Sequence, residues 1–238
     1  MTRKRIWELD ALRGICILGM VAIHAAFDLV DLLQVVSWQF PPLLSFIQNW
    51  GGVLFLLISG ICATLGSRSV RRGLIVFTCG MIVTAVTIGL YLLGFADQSI
   101  IIYFGVLHCL GVCMMLWHFL GKLPTRALGV LGGVLAAVGL ILRRFTVDTP
   151  YLIWLGLTFP GFATADYFPL LPHLGFFLLG AFLGRTLYRK QESLLPRAPV
   201  GNPMIRFACF CGRHSLAIYL LHQPVFALLA TAVAWLLR

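Results

Sequence analysis

Residues 8–31, ELDALRGICILGMVAIHAAFDLVD, carry several charged or titratable groups in a run that otherwise reads as a membrane-spanning helix. At 100° per residue, Arg13, His24, Asp28 and Asp31 fall within about 60° of one another around the helix axis. Arg13 and His24 are eleven positions apart, or roughly 16 Å of rise, so the polar stripe runs from one membrane face toward the other. Each residue type has a chemistry there. A histidine with a carboxylate one turn on, as His24 with Asp28, is a poised general base. An intramembrane arginine, here with Asp10 at i−3, suits a phosphate or carbonyl. Ionisable groups at such depth are costly and therefore functional by default.

The element that must hold this stripe belongs to a polytopic membrane protein. Hydrophobic residues make up 60% of the 238, charged residues only 11%, and the mean hydropathy is +0.96, values of a chain whose solvent is mostly lipid. The length accommodates about seven spans of ~20 residues and no separate soluble domain. The expectation is one all-α integral-membrane domain over 1–238. A net charge of +10 does not point to nucleic acid, because the basic residues lie between apolar runs rather than in a patch interleaved with aromatics. With the N-terminus inside, fifteen Lys and Arg fall on inner segments and only Arg143, Arg144 and Arg238 outside. The positive-inside rule then sets the N-terminus inside and the C-terminus outside.

The seven cysteines include no CxxC pair, and they read as packing residues. Cys209, Cys211 and His214 lack the spacing of a zinc site, so no metal is expected. Asp10 and Arg13 interrupt the first apolar run and no small-x-small cleavage site follows, against a signal peptide.

The expected spans are 11–33, 43–65, 73–95, 100–120, 127–142, 170–188 and a last one from about 206 or 213 to 236. Segment 151–159 is apolar enough to dip into the interface as a lid, and 191–202, rich in Pro and charge, is an inner linker. On the last span Ser215, Tyr219 and His222 share a face. At ~1.5 Å per residue, His24, His108 and His222 can all reach the outer half of a ~30 Å core.

Five motifs carry a resemblance: LDALRG with MVAIH in 9–24, NWGGVLFLLISG at 49–60, FGVLHCLG at 104–111, DYFPLLPH at 166–173 and SLAIYLLHQP at 215–224. Their order and spacing resemble the transmembrane acyltransferase superfamily, and within it the bacterial family related to heparan-α-glucosaminide N-acetyltransferase.

The resemblance implies transfer of an acetyl group from cytoplasmic acetyl-CoA to an amine or hydroxyl of an outward-facing, sugar-like acceptor, in a cytoplasmic (inner) membrane of bacterial type. In the superfamily a histidine at the His24 position is catalytic. The candidate catalytic set is therefore His24, Asp28 and His108. A polyanionic donor suits a basic inner mouth made by Arg13, with Asp10 beside it, and by Arg68, Arg71 and Arg72. Asn49, His108 or His222 could donate to the thioester oxyanion, and Arg143, Arg144, Asp166 and His173 join Asn49 and His222 as candidate substrate contacts. The expected partners are acetyl-CoA, the acceptor and the bilayer, with room for a homodimer. A proton-coupled transporter or flippase, with Arg143, Arg144 and Asp166 as gates, is the alternative. No inverted repeat supports it.

Overall fold

A computed structural model describes residues 5–32, 42–197 and 199–236. Its helices are α1 (Trp7–Leu32), α2 (Pro42–Leu65), α3 (Ser69–Leu92), α4 (Val106–Leu120), α5 (Thr125–Leu142), α6 (Leu170–Leu187), α7 (Pro203–Arg213) and α8 (Ser215–Leu236). Among the described residues there is no strand, only isolated bridges at Phe104–Tyr167 and Thr146–Thr158. The protein is an all-α membrane protein, as expected. In hydrocarbon each backbone N–H and C=O must be satisfied within its own segment, so apolar runs of this length become helices. Among the described residues four helices are long and apolar enough to cross a bilayer, or five if the bent pair α7 and α8 is one span; Trp50–Leu65 and Val106–Leu120 are shorter apolar helices. On α3 the side chains of Ile75, Ile82 and Val86 stand exposed, an apolar face that suits acyl chains.

Two boundaries depart from the expected ones in ways that matter. The helical run expected from Ile100 is broken, and α4 starts only at Val106, after an extended Gly105 (φ −91°, ψ −173°). This leaves His108 in the first turn of α4 instead of midway along a span. The last apolar segment also divides at His214, where α7 and α8 meet at 85°. The span proper thus begins at Ser215, and α7 is a separate helix.

Contacts divide the chain into two compact units, Met1–Phe55 with Lys190–Arg238, and Leu56–Arg189. In the first, α1 packs on α7 and α8. Gly14 and Gly212 allow it: a Cβ on Gly14 would fall on the carbonyl oxygen of Ala208, and one on Gly212 on that of Asp10. Lipid gives apolar helices little reason to associate, so backbone contact through small residues replaces the hydrophobic drive. Buried Glu8 pins the expected linker to this unit, accepting from Ser193 Oγ at 2.9 Å and from the Leu194 N–H at 2.7 Å. In the second unit α3 packs on α4, and α6 on both α5 and α4. Gly60 and Gly180 bring the end of α2 against α6, and Leu56, Leu128, Phe177 and Leu178 form a fully buried centre.

Candidate active site

Two polar contacts in the first unit join the stripe on α1 to the polar face of α8. Arg13 Nη2 donates to Ser215 Oγ at 2.9 Å, and its guanidinium lies over the Phe55 ring, 5.7 Å from the centroid. Farther along, His24 Nδ1 stands 2.7 Å from His222 Nε2, with the rings stacked at 4.9 Å and 25°. From Arg13 to His24 and from Ser215 to His222 both chains advance, so α1 and α8 run parallel.

The hydrogen bonds determine the tautomers of the pair. His222 Nδ1 is 2.6 Å from the carbonyl oxygen of Tyr219. A carbonyl only accepts, so Nδ1 carries the proton and, in the neutral ring, Nε2 carries the lone pair. His24 must then donate through Nδ1, which leaves its Nε2 as the basic nitrogen. Buried His222 therefore makes the orienting contact on His24 that the sequence suggested for Asp28, and the Asp28 carboxylate acts electrostatically on His222. A proton arriving at His24 Nε2 would find its charge shared along this chain.

Arg13 takes Ser215 where the sequence suggested Asp10. Asp10 instead feels Arg5, Arg13 and Arg213 together. The side chains of Asn49 and Asp31 lie outside the described residues. Arg68, Arg71 and Arg72 sit exposed at the start of α3 in the second unit, Arg68 at its N-cap in the left-handed region (φ 59°, ψ 41°) and Arg71 and Arg72 in its first turn.

The other candidates form two local knots in the second unit. His108, 2% exposed, accepts the Gly105 N–H at Nδ1 (3.2 Å), and its Nε2 stands 3.3 Å from Thr84 Oγ1, whose hydroxyl donates to Ile102 O at 2.6 Å. Both ring nitrogens are engaged, so the ring ties α3 to the chain entering α4. Asp166 Oδ2 accepts the Val106 N–H at 2.9 Å, capping the positive end of α4. Gly105 has to be glycine, since a Cβ there would fall on this carboxylate.

In the second knot His173 Nδ1 donates to Pro169 O at 2.6 Å, and Nε2 accepts from Arg143 Nη2 at 3.3 Å. Tyr167 donates to Ile153 O at 2.7 Å, and burial pushes its phenol up to about 12 despite the nearby Arg143 charge. Segment 151–159 is held here as well: Leu170 N–H donates to Trp154 O at 2.7 Å and Val147 N–H to Thr158 O at 2.9 Å. Arg144 is exposed.

A family model described as heparan-alpha-glucosaminide N-acetyltransferase, catalytic, matches residues 5–224. The chain belongs to this acetyltransferase family. No curated protein and no solved structure matches it. The match spans all five sequence motifs and both units. Within this acetyltransferase domain, the motifs at 9–24 and 215–224 converge on the two histidines and the Arg13–Ser215 contact. Those at 104–111 and 166–173 meet at Gly105, Val106 and Asp166. Sequence reasoning missed Glu8 and Thr84 as anchors. Glu8 binds residues 185 and 186 positions away, a separation at which local patterns carry no signal. Ser215 lay on the recognised face of the last span, but its guanidinium partner did not show.

Proposed function

We propose that this acetyltransferase moves an acetyl group from acetyl-CoA to an amine or hydroxyl of a sugar-like acceptor, with His24 Nε2 as the general base. The hydrogen-bonded His24–His222 pair carries this reading. The acceptor O–H or N–H bond breaks as His24 takes the proton, and the acceptor atom attacks the thioester carbonyl. Collapse of the tetrahedral adduct breaks the C–S bond and releases CoA as the thiolate, to which His24 returns the proton. His222 positions His24, and Asp28 favours the positive charge that the pair gains during the step.

Arg13 lies about 16 Å of helix from His24, a separation that suits the long pantetheine arm between a charged donor end and the reacting thioester. The chain is read as one catalytic domain of seven spans with the N-terminus inside. The parallel run of α1 and α8 and the charge distribution support this topology. By the same rule Arg68, Arg71 and Arg72 lie on the cytoplasmic side and add to the potential that draws in a polyanion. His108, Asp166 and the Arg143–His173 contact shape the second unit in this reading, and the outward segment around Arg143 and Arg144 faces the acceptor side.

The test is transfer of labelled acetyl from acetyl-CoA by the purified protein to a panel of amino sugars and glycosides. The reading expects transfer by the parent, loss of turnover of the order of 10²–10⁴ in His24→Ala, and acetyl-CoA binding in both. A folded His24→Ala protein that acetylates at the parent rate refutes it.

A further inference from the structure

Tyr219 lies on the polar face of α8, four positions past Ser215 and three before His222, hence roughly 6 Å along the axis from the first and ~4.5 Å from the second. It stands between the Arg13–Ser215 contact and the histidine pair. Its ring is half-buried, with the centroid 5.7 Å from that of His222 at an interplanar angle of 56°. Leu221, about 200° away around the helix, is 60% exposed, so Tyr219 is on the protein side of α8 and not among the lipid chains. A tyrosine in such a place packs its ring as an apolar group and turns its O–H to a polar partner.

The thioester carbonyl has to lie beside His24, because the acceptor atom that attacks it is the one whose proton His24 Nε2 takes. The donor reaches that point from the Arg13–Ser215 end, and Tyr219 borders the approach. As the tetrahedral adduct forms, its oxygen gains a negative charge that calls for a positioned O–H or N–H donor. Of the donors that the sequence offers, His222 spends its N–H on Tyr219 O at 2.6 Å, and His108 engages both ring nitrogens within the second unit. The Asn49 side chain lies outside the described residues. We propose that the Tyr219 hydroxyl donates the hydrogen bond that stabilises this oxyanion, which makes Tyr219 a catalytic residue. The proposal rests on acetyl-CoA being the donor and His24 the base. No proton changes hands in this contact: the O–H stays on Tyr219, and the charge leaves the oxygen as the carbonyl re-forms and the C–S bond breaks. Tyr219 then has two separate duties, its backbone carbonyl fixing the His222 tautomer and its phenol meeting the substrate.

The experiment measures turnover of labelled acetyl-CoA and its direct binding by the full chain in neutral detergent, with the member of the amino sugar and glycoside panel that the parent acetylates fastest. Tyr219→Phe keeps the ring and the backbone carbonyl, so His222 stays oriented, and only the hydroxyl is lost. Its kcat should fall by about 10²–10³-fold, the cost of removing one oxyanion donor, with acetyl-CoA binding within twofold of the parent. 3-Fluorotyrosine at 219 changes the size little and makes the phenol more acidic. It should hold kcat near the parent value while protonated and lose it at a lower pH than the parent, because a phenolate has no hydrogen to donate. Thermal unfolding identifies the folded variants. If the parent acetylates no member of the panel, the acetyltransfer reading falls and this proposal with it. If the parent is active and folded Tyr219→Phe matches its kcat, the role of His24 stands and that of Tyr219 is overturned. A loss confined to acetyl-CoA affinity, with kcat kept, would overturn it in favour of a donor contact. Should Tyr219→Phe not fold, a fluorotyrosine protein with the parent pH profile would overturn it as well.

Discussion

Replacing His222 by phenylalanine separates a relay from two histidines that merely touch. Phenylalanine keeps most of the ring volume but removes the Nε2 lone pair that accepts from His24 Nδ1 at 2.7 Å. His24 then loses the bond that fixes its tautomer and the group that shares its charge when it is protonated. Hydrogen bonds to groups that become charged contribute about 1.5–3 kcal/mol, equivalent to roughly 10–100-fold in rate. The kcat should fall by that factor while KM for acetyl-CoA stays near the parent value, because the bond matters chiefly when charge develops on His24. Glutamine at 222 offers an amide oxygen as acceptor and should recover part of the loss. In a His24→Ala background His222→Phe should cost little more, since the two residues act as a unit. The assay is steady-state turnover with labelled acetyl-CoA and a saturating acceptor. Parent kcat in a folded His222→Phe protein, or equal losses with phenylalanine and glutamine, would refute the relay.

Arg13→Ala should weaken acetyl-CoA binding by about 1.5–3 kcal/mol, and Ser215→Ala, which only frees the guanidinium, by less; equal affinity in folded Arg13→Ala would assign the residue to structure. Asp166→Ala should lower the stability of the second unit by about 0.5–2 kcal/mol through loss of the α4 cap, read as an earlier thermal unfolding in detergent, and an unshifted transition would exclude that role. Cysteines placed at exposed Asp148 and Glu192 should label from opposite sides of the membrane, 148 from outside and 192 from inside; labelling from one side together would sink the topology. Because the Tyr167 phenol is raised from 10 to about 12, the native state holds that proton more tightly than the unfolded chain. Its contribution to stability is therefore complete below pH 10 and is lost as pH rises toward 12. An absorbance titration should show a late phenolate phase that Tyr167→Phe lacks, and a single phase near 10 would contradict it.

The sequence by itself determined the class, the position of nearly every apolar segment, and which faces of α1 and α8 are polar. Hydrophobic run length reports directly on burial in lipid, and a 3.6-residue period reports on which residues share a face. Hence Arg13, His24 and Asp28 on α1, and Ser215, Tyr219 and His222 on α8, were legible as two polar stripes. The tertiary structure decided which stripe meets which. The His24–His222 bond joins residues 198 positions apart, and it depends on how close α1 and α8 approach and in what register. The break at His214 and the late start of α4 were likewise tertiary. Ile100 to Gly105 is apolar enough to continue a helix, but α4 starts where Asp166, 60 positions on, accepts the Val106 N–H. A helix terminus needs partners for its unpaired N–H groups, and the folded chain chooses where they are found. For the same reason the contacts of His108, a candidate catalytic residue in the sequence, came only with the fold, which engages both its ring nitrogens at the Gly105 N–H and Thr84 Oγ1: a histidine's chemistry depends on the hydrogen bonds left to it, and only the packed structure assigns those.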